Sequence, residues 1–251
     1  MPQVHSDSLD STAGEALSAA PLLCIGHSHI HAVKAAAEGD GLRIDSIPFW
    51  FEPGALPRDD QGRLAFRPDL LERIRVVRPV VSFVGGAAHS VVGAVEHPRP
   101  FDFILPSDPE LPFDATRELI PADAVRAALV TADAEFGEIF RLLLVSAGGP
   151  VTQVEAPPPV PDSERLRAHT PWSFFPGQPQ EIAPKWLRYK LWRLHSEIVA
   201  ERCAALNVAY VRVPRAAMDA EGFLRAGLDA DGYHGGPEYG RMVLQSLGVV
   251  R

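Results

Sequence analysis

Cysteine is scarce, with two in 251 residues. Cys24 lies inside an apolar run and Cys203 inside a helical pattern, so both read as small buried hydrophobes. That excludes a disulfide framework and a thiolate metal site. Clusters of Lys and Arg are lacking too. The 24 basic residues are scattered among 32 acidic ones, giving a formal charge of -8. Nucleic-acid and anionic-membrane binding both draw their affinity from dense positive charge, so neither partner is expected, and a small or neutral substrate fits better. The sequence has no apolar run of membrane-spanning length, and residues 1–20, rich in Ser, Asp and Ala, have neither a basic start nor an apolar core. They read as a mobile lead-in, with cytoplasmic residence as the default expectation. No Ser/Gly linker divides the remainder, so 21–251 reads as one domain, and a hydrophobic fraction of 46% is enough to build its core. Oligomeric state is not legible.

What is present is an alternation. Short apolar runs at 22–25, 44–51, 80–84, 151–154 and 208–213 have the length of buried strands. Between them, 29–38, 67–77, 121–145 and 183–206 carry helical spacing, and a last helix is expected over 237–247. Pro121 and Gly148-Gly149 bracket the third of these in the usual order, proline at the start and glycine past the end. Two proline-rich stretches, 89–112 and 157–184, read as irregular segments, the second with Trp172, Phe174 and Phe175 as a candidate lid. Strands alternating with helices imply a parallel sheet covered on both faces. The expected fold is α/β, a flavodoxin-like three-layer α/β/α sandwich with about five parallel strands. Its ligand crevice lies at the carboxyl ends of the strands.

Two blocks fall at those ends. Gly26-His27-Ser28-His29 occupies the first strand-to-helix turn, where Ser28 is placed either as a nucleophile or as a helix cap. Asp231-Gly232-Tyr233-His234 lies on the loop entering the last helix. A serine hydroxyl needs a base, histidine supplies one near neutral pH, and a carboxylate fixes its tautomer. Asp231 is the candidate orienter and Asp229 its rival; a turn-forming Asp beside a surface His is the bland alternative. The aromatics Phe49, Trp50, Phe51, Trp172, Phe174 and Phe175 are candidates for a ligand groove or for packing, and Arg99 and Arg165 for meeting an anion or for simple solvation.

With both blocks in this order at the two ends of an alternating chain, the sequence resembles the SGNH/GDSL hydrolase family over about residues 22–248. The resemblance implies acyl transfer or ester hydrolysis with Ser28 as nucleophile, His234 as general base and Asp231 as its orienter, no cofactor, and a small-molecule or carbohydrate ester as substrate. Two departures stand out. His27 takes the place of the family's Asp or Asn before the serine. After the third strand the family carries Gly-x-Asn, whose Asn donates to the oxyanion, whereas this chain has Gly85-Gly86-Ala87-Ala88-His89. Losing one such donor costs about a hundred- to a thousand-fold in rate. The oxyanion and substrate-binding candidates are then the Ser28 main chain, Gly54, Gly86, Ala87 and His89. The Ala87 substitution keeps a second expectation open, a weakly active or non-catalytic binding protein. The alternating His27, His29 and His31 raise a third, a metal-dependent hydrolase, disfavoured by about five strands where a barrel site needs eight.

Overall fold

The computed structural model describes residues 21–250; the lead-in expected at 1–20 lies outside the described residues. Its centre is a five-stranded parallel sheet of β1 (Leu23–Gly26), β2 (Asp45–Pro48), β3 (Val80–Phe83), β6 (Val151–Val154) and β7 (Ala209–Val211), in the spatial order β2-β1-β3-β6-β7. Ignoring a small side ladder, this is the 2-1-3-4-5 order of a flavodoxin-like sandwich, as the alternation implied.

Helices α1 (Ile30–Gly39) and α8 (Pro237–Ser246) contribute to one core layer, and α2 (Pro68–Arg75) and α5 (Ala134–Ser146) to the other. The period of two along a strand divides β1 between them, Cys24 facing the first layer and Leu23 and Ile25 the second. The long helix α7 (Lys185–Ala205) joins both, through Trp192 and Cys203, and with Leu187, Leu191, Leu194 and Ile198 builds a third cluster against Phe103, Leu105 and Leu129.

Two close approaches fix the geometry of the crevice. At the end of β1, Gly26 has φ +154°, and a Cβ there would stand 2.5 Å from the Phe83 carbonyl carbon of β3. On α8, a Cβ at Gly240 would stand 2.0 Å from the Ala32 carbonyl oxygen of α1. These glycines let the serine turn lie against β3 and bring the start of the last helix beside the start of the first.

Three regions differ from the sequence expectation. The helix expected over 121–145 is two helices, α4 (Ala122–Ala132) and α5, broken at Asp133. Asp133 is fully buried, and its carboxylate is held by His195 and Arg202 of α7 rather than by solvent. The stretch 89–112 is not wholly irregular: it starts within α3 (Ala88–Gly93) and supplies β4 (Phe101–Asp102), which pairs in parallel with β5 (Glu118–Leu119). Buried charges anchor this insertion. Lys190 of α7 meets Asp102 at 2.5 Å, and Arg117 meets Glu96 at 2.5 Å. The stretch 157–184 contains α6 (Ser163–His169), whose first amides are capped by Asp162, and it pairs with the insertion through Val95 and Ile182. Proline density marked both stretches as non-strand, but a single helical turn or a two-residue ladder has too little periodicity to read.

Candidate active site

The serine turn is short. Main-chain bonds from Ile30 to His27 (3.2 Å) and from His31 to Ser28 (3.1 Å) close it directly after β1. The residue that caps α1 is His29, which makes no side-chain capping bond. Ser28 is therefore not used as a cap, and its hydroxyl is turned to the crevice.

There it meets the second block. Ser28 Oγ lies 2.8 Å from His234 Nε2, and His234 Nδ1 lies 2.7 Å from Asp231 Oδ2. A carboxylate only accepts, so Nδ1 carries the ring hydrogen and donates it to Asp231. Nε2 of the neutral ring is then the lone pair that accepts the Ser28 hydroxyl. The other carboxylate oxygen, Asp231 Oδ1, accepts the main-chain N–H groups of Tyr233 and His234, each at 2.9 Å, so the turn that carries the imidazole is wound about the carboxylate that orients it. Burial works against the Asp231 charge, but the His234 hydrogen bond, the ring's charge and the two amides outweigh it and hold the carboxyl far below the usual range. The rival, Asp229, faces elsewhere: it pairs with Arg165 of α6 and accepts the Gly232 N–H at 2.9 Å. Arg165, a candidate for meeting an anion, is thus committed to anchoring this loop.

The other expected residues are only partly gathered here. Gly86, with φ +86°, lies against the His29 ring, and Ala87 caps α3 with its main chain alone. Gly54 sits in an exposed turn, and no hydrogen bond joins it to Ser28 among the described residues. His89, on α3, is buried with its Nδ1 3.4 Å from Nδ1 of His195.

The three alternating histidines diverge. His27 is wedged edge-on between Phe49 and Phe136, with ring centres at 5.6 and 4.9 Å, and its Nδ1 accepts the Gly85 N–H; burial lowers its pKa to about 4. His29 lies 5.4 Å from the His234 ring centre. Burial, then the His234 and His27 charges, lower its pKa to about 3, and its Nδ1 is buried without a hydrogen bond. His31 points outward, edge-on to the exposed Phe51 at 4.8 Å. Among the described residues no three His, Cys, Asp or Glu side chains are grouped to hold a metal. Of the aromatic candidates, Phe49 is core and Phe174 is 78% exposed. The segment bearing Phe174 is tied to the site, since Thr170 Oγ1 and Tyr233 Oη lie 2.7 Å apart.

What sequence reasoning missed is the polar chain that ends on α3, in which Arg202 and His195 hold Asp133 and His195 meets His89. A buried Asp between two helical runs, with a His and an Arg seven residues apart on one later helix, was its only trace. No helix among the described residues is long and apolar enough to cross a membrane.

No protein-family model matches the chain, and no curated protein is significantly similar to it. Solved structures resembling it include a proposed platelet activating factor from Streptococcus pneumonia, at 13% identity over 92% of this chain and 85% of that one, with a TM-score of 0.49. A GDSL-like lipase from Bacteroides thetaiotaomicron is 10% identical over 94% of this chain and 93% of that one, with a TM-score of 0.41. The periplasmic domain of a lipopolysaccharide acetyltransferase from Salmonella ser. Paratyphi A is 13% identical over 91% and 82%, with a TM-score of 0.42. These are likenesses of fold at low identity, and the strand order stands without them.

Proposed function

We propose that the chain is a serine esterase or acyltransferase of the SGNH/GDSL type, acting on a small-molecule or carbohydrate ester through an acyl-enzyme. The observation that carries this reading is the unbroken hydrogen-bond line Asp231–His234–Ser28, at 2.7 and 2.8 Å, formed by residues more than two hundred positions apart.

In this scheme Ser28 Oγ attacks the ester carbonyl carbon while His234 Nε2 takes its proton, and Asp231 stabilises the resulting imidazolium. The tetrahedral intermediate places its negative oxygen at the main-chain N–H of Ser28 and the Gly86-Ala87 turn, which lacks the family's side-chain donor. His234 returns the proton to the departing alcohol, and water, or a second alcohol in a transferase, then releases the acyl group. Hydrolysis of 4-nitrophenyl acetate by the wild type, Ser28→Ala and His234→Ala tests this, together with fluorophosphonate labelling of Ser28. Loss of about three or more decades in both variants is expected; equal rates and no labelling would end the reading.

Ala87 favours a second reading, a binding protein that keeps the fold and the line of contacts but turns over slowly or not at all. It is distinguished by binding of an acylated carbohydrate without turnover and without probe labelling.

A further inference from the structure

Behind the crevice runs a second line of titratable groups that the acyl chemistry above leaves unused. Asp133 is wholly buried at the break between α4 and α5, its Oδ2 held by Arg202 and its Oδ1 3.3 Å from His195 Nε2. The other ring nitrogen of His195 faces His89 Nδ1 at 3.4 Å. His89, on α3, is in turn close enough to His29 to feel its charge, and His29 neighbours His234. Both His89 and His195 are buried, at 7% and 2% exposure. Among the described residues nothing hydrogen-bonds His89 Nε2. The ring lines a cavity of about 20 Å³ together with Leu166, Arg188, Gly232 and Tyr233, the last two lying between Asp231 and His234 in the chain. That volume holds about one water or one hydroxyl group.

The polarity of the free nitrogen follows from hydrogen counting. The His195 hydrogen bond and the Arg202 charge keep Asp133 ionised against its burial, so it only accepts, and His195 Nε2 must carry a hydrogen. With one hydrogen on each imidazole, His195 Nδ1 is a lone pair. His89 then donates from Nδ1, which leaves its Nε2 bare. Burial, followed by the nearness of the His195 and His29 rings, pushes the His89 pKa well below its ordinary value.

We propose that His89 presents a hydrogen-bond acceptor, fixed in tautomer by His195 and Asp133, to a hydroxyl of the substrate beside the scissile ester. His89 is thus a specificity residue for partly acylated polyols and does not replace the missing oxyanion donor; His195 and Asp133 are positioning residues. This rests on the esterase reading of Ser28. A site that accepts from a substrate hydroxyl discriminates against the analogue that lacks it, because its own polar atom is then left unpaired.

The test compares hydroxyethyl acetate with propyl acetate, in which a methyl group of similar size replaces that hydroxyl. The wild type is expected to favour the hydroxyl ester by about tenfold in kcat/KM, a single net hydrogen bond, and His89→Phe to bring the ratio to about one whatever its absolute rate. His195→Phe, which frees the tautomer, is expected to reduce the ratio while leaving His89 in place. Nitrogen-15 shifts of the unaltered protein supply a readout that needs no variant to fold: His89 Nε2 should resonate as a bare nitrogen and Nδ1 as a protonated one. A wild-type ratio near one with hydrolysis still dependent on Ser28, or a protonated Nε2, overturns the inference and leaves the esterase reading intact. If neither ester is cleaved and Ser28→Ala matches the wild type, the esterase reading falls and takes this one with it.

Discussion

Replacing Asp231 by Asn keeps the side chain's shape but removes the carboxylate charge and changes which atom faces the imidazole. In the native turn Oδ2 accepts from His234 Nδ1 at 2.7 Å, while Oδ1 accepts two main-chain N–H groups at 2.9 Å. The Asn oxygen is expected to stay with the two amides, because exchanging it would set an NH2 group against two N–H donors. The Asn NH2 then faces Nδ1 and forces that nitrogen to become the acceptor. The ring hydrogen moves to Nε2, where it points at Ser28 Oγ, and the nucleophile loses its base. The wrong tautomer in a triad of this kind lowers kcat by about ten-thousand-fold, equivalent to about 5.4 kcal/mol in the barrier. Steady-state hydrolysis of 4-nitrophenyl acetate by Asp231→Asn measures it, with circular dichroism to show that the turn survives. Asp229→Asn is the comparison: it loosens the Arg165 anchor and leaves the His234 partner, so its loss should be much smaller. Less than a tenfold loss in Asp231→Asn, or equal losses in both variants, would refute the reasoning.

Further outcomes follow from the packing and the buried charges. Gly240→Val places a side chain where 2.0 Å separates a Cβ from the Ala32 oxygen; overpacking of this kind costs about 1–3 kcal/mol, and by pushing α8 off α1 it should lower kcat/KM as well, which denaturation and rate measurements on one preparation will show. Asp133→Ala leaves His195 and Arg202 without their buried acceptor, and a loss of about 3–5 kcal/mol is expected for breaking such a pair; a change under 1 kcal/mol in urea denaturation would mean that water replaces it. Acid should weaken the fold before the carboxylates titrate. The unfolded chain binds a proton on each histidine near pH 6.5, while the folded chain refuses it until about 4 at His27 and about 3 at His29. Stability is therefore full above about pH 6.5 and falls as pH drops toward 4, by up to about 1.4 kcal/mol per unit for each residue; urea midpoints that stay flat between pH 7 and 4.5 would contradict this. Asp231 has the opposite relation, its depressed carboxyl stabilising the fold at neutral pH and losing that contribution only in strong acid.

Most of the architecture was legible. Buried strands of a parallel sheet leave apolar runs such as 22–25 and 80–84 whose length and glycine punctuation need no tertiary information, and all five sheet strands were found within a few residues of their ends. The break at Asp133 was not legible, because Ala132-Asp133-Ala134 continues a helical pattern and the partners of the buried carboxylate, His195 and Arg202, lie on a distant helix. Ser28, Asp231 and His234 stood out because a Ser after a Gly at one end of the chain and an Asp-x-x-His at the other are unusual residues at strand ends. Asp231 was the candidate orienter from the sequence, and the structure pairs it with His234 while its rival Asp229 pairs with Arg165. His89 was noticed only as a polar residue near a missing Asn; its partner His195 lies 106 positions away on α7.

By itself the sequence determined the order and type of the elements, the faces they bury and the residue types capable of acyl chemistry, because hydrophobic period and turn chemistry act between near neighbours. Tertiary structure alone decided that Ser28 reaches the His234 ring and that His89 meets His195. Those contacts depend on how closely helices and strands approach, at Gly26 and Gly240 above all, and a distance between segments is a property of their packing that no local pattern encodes.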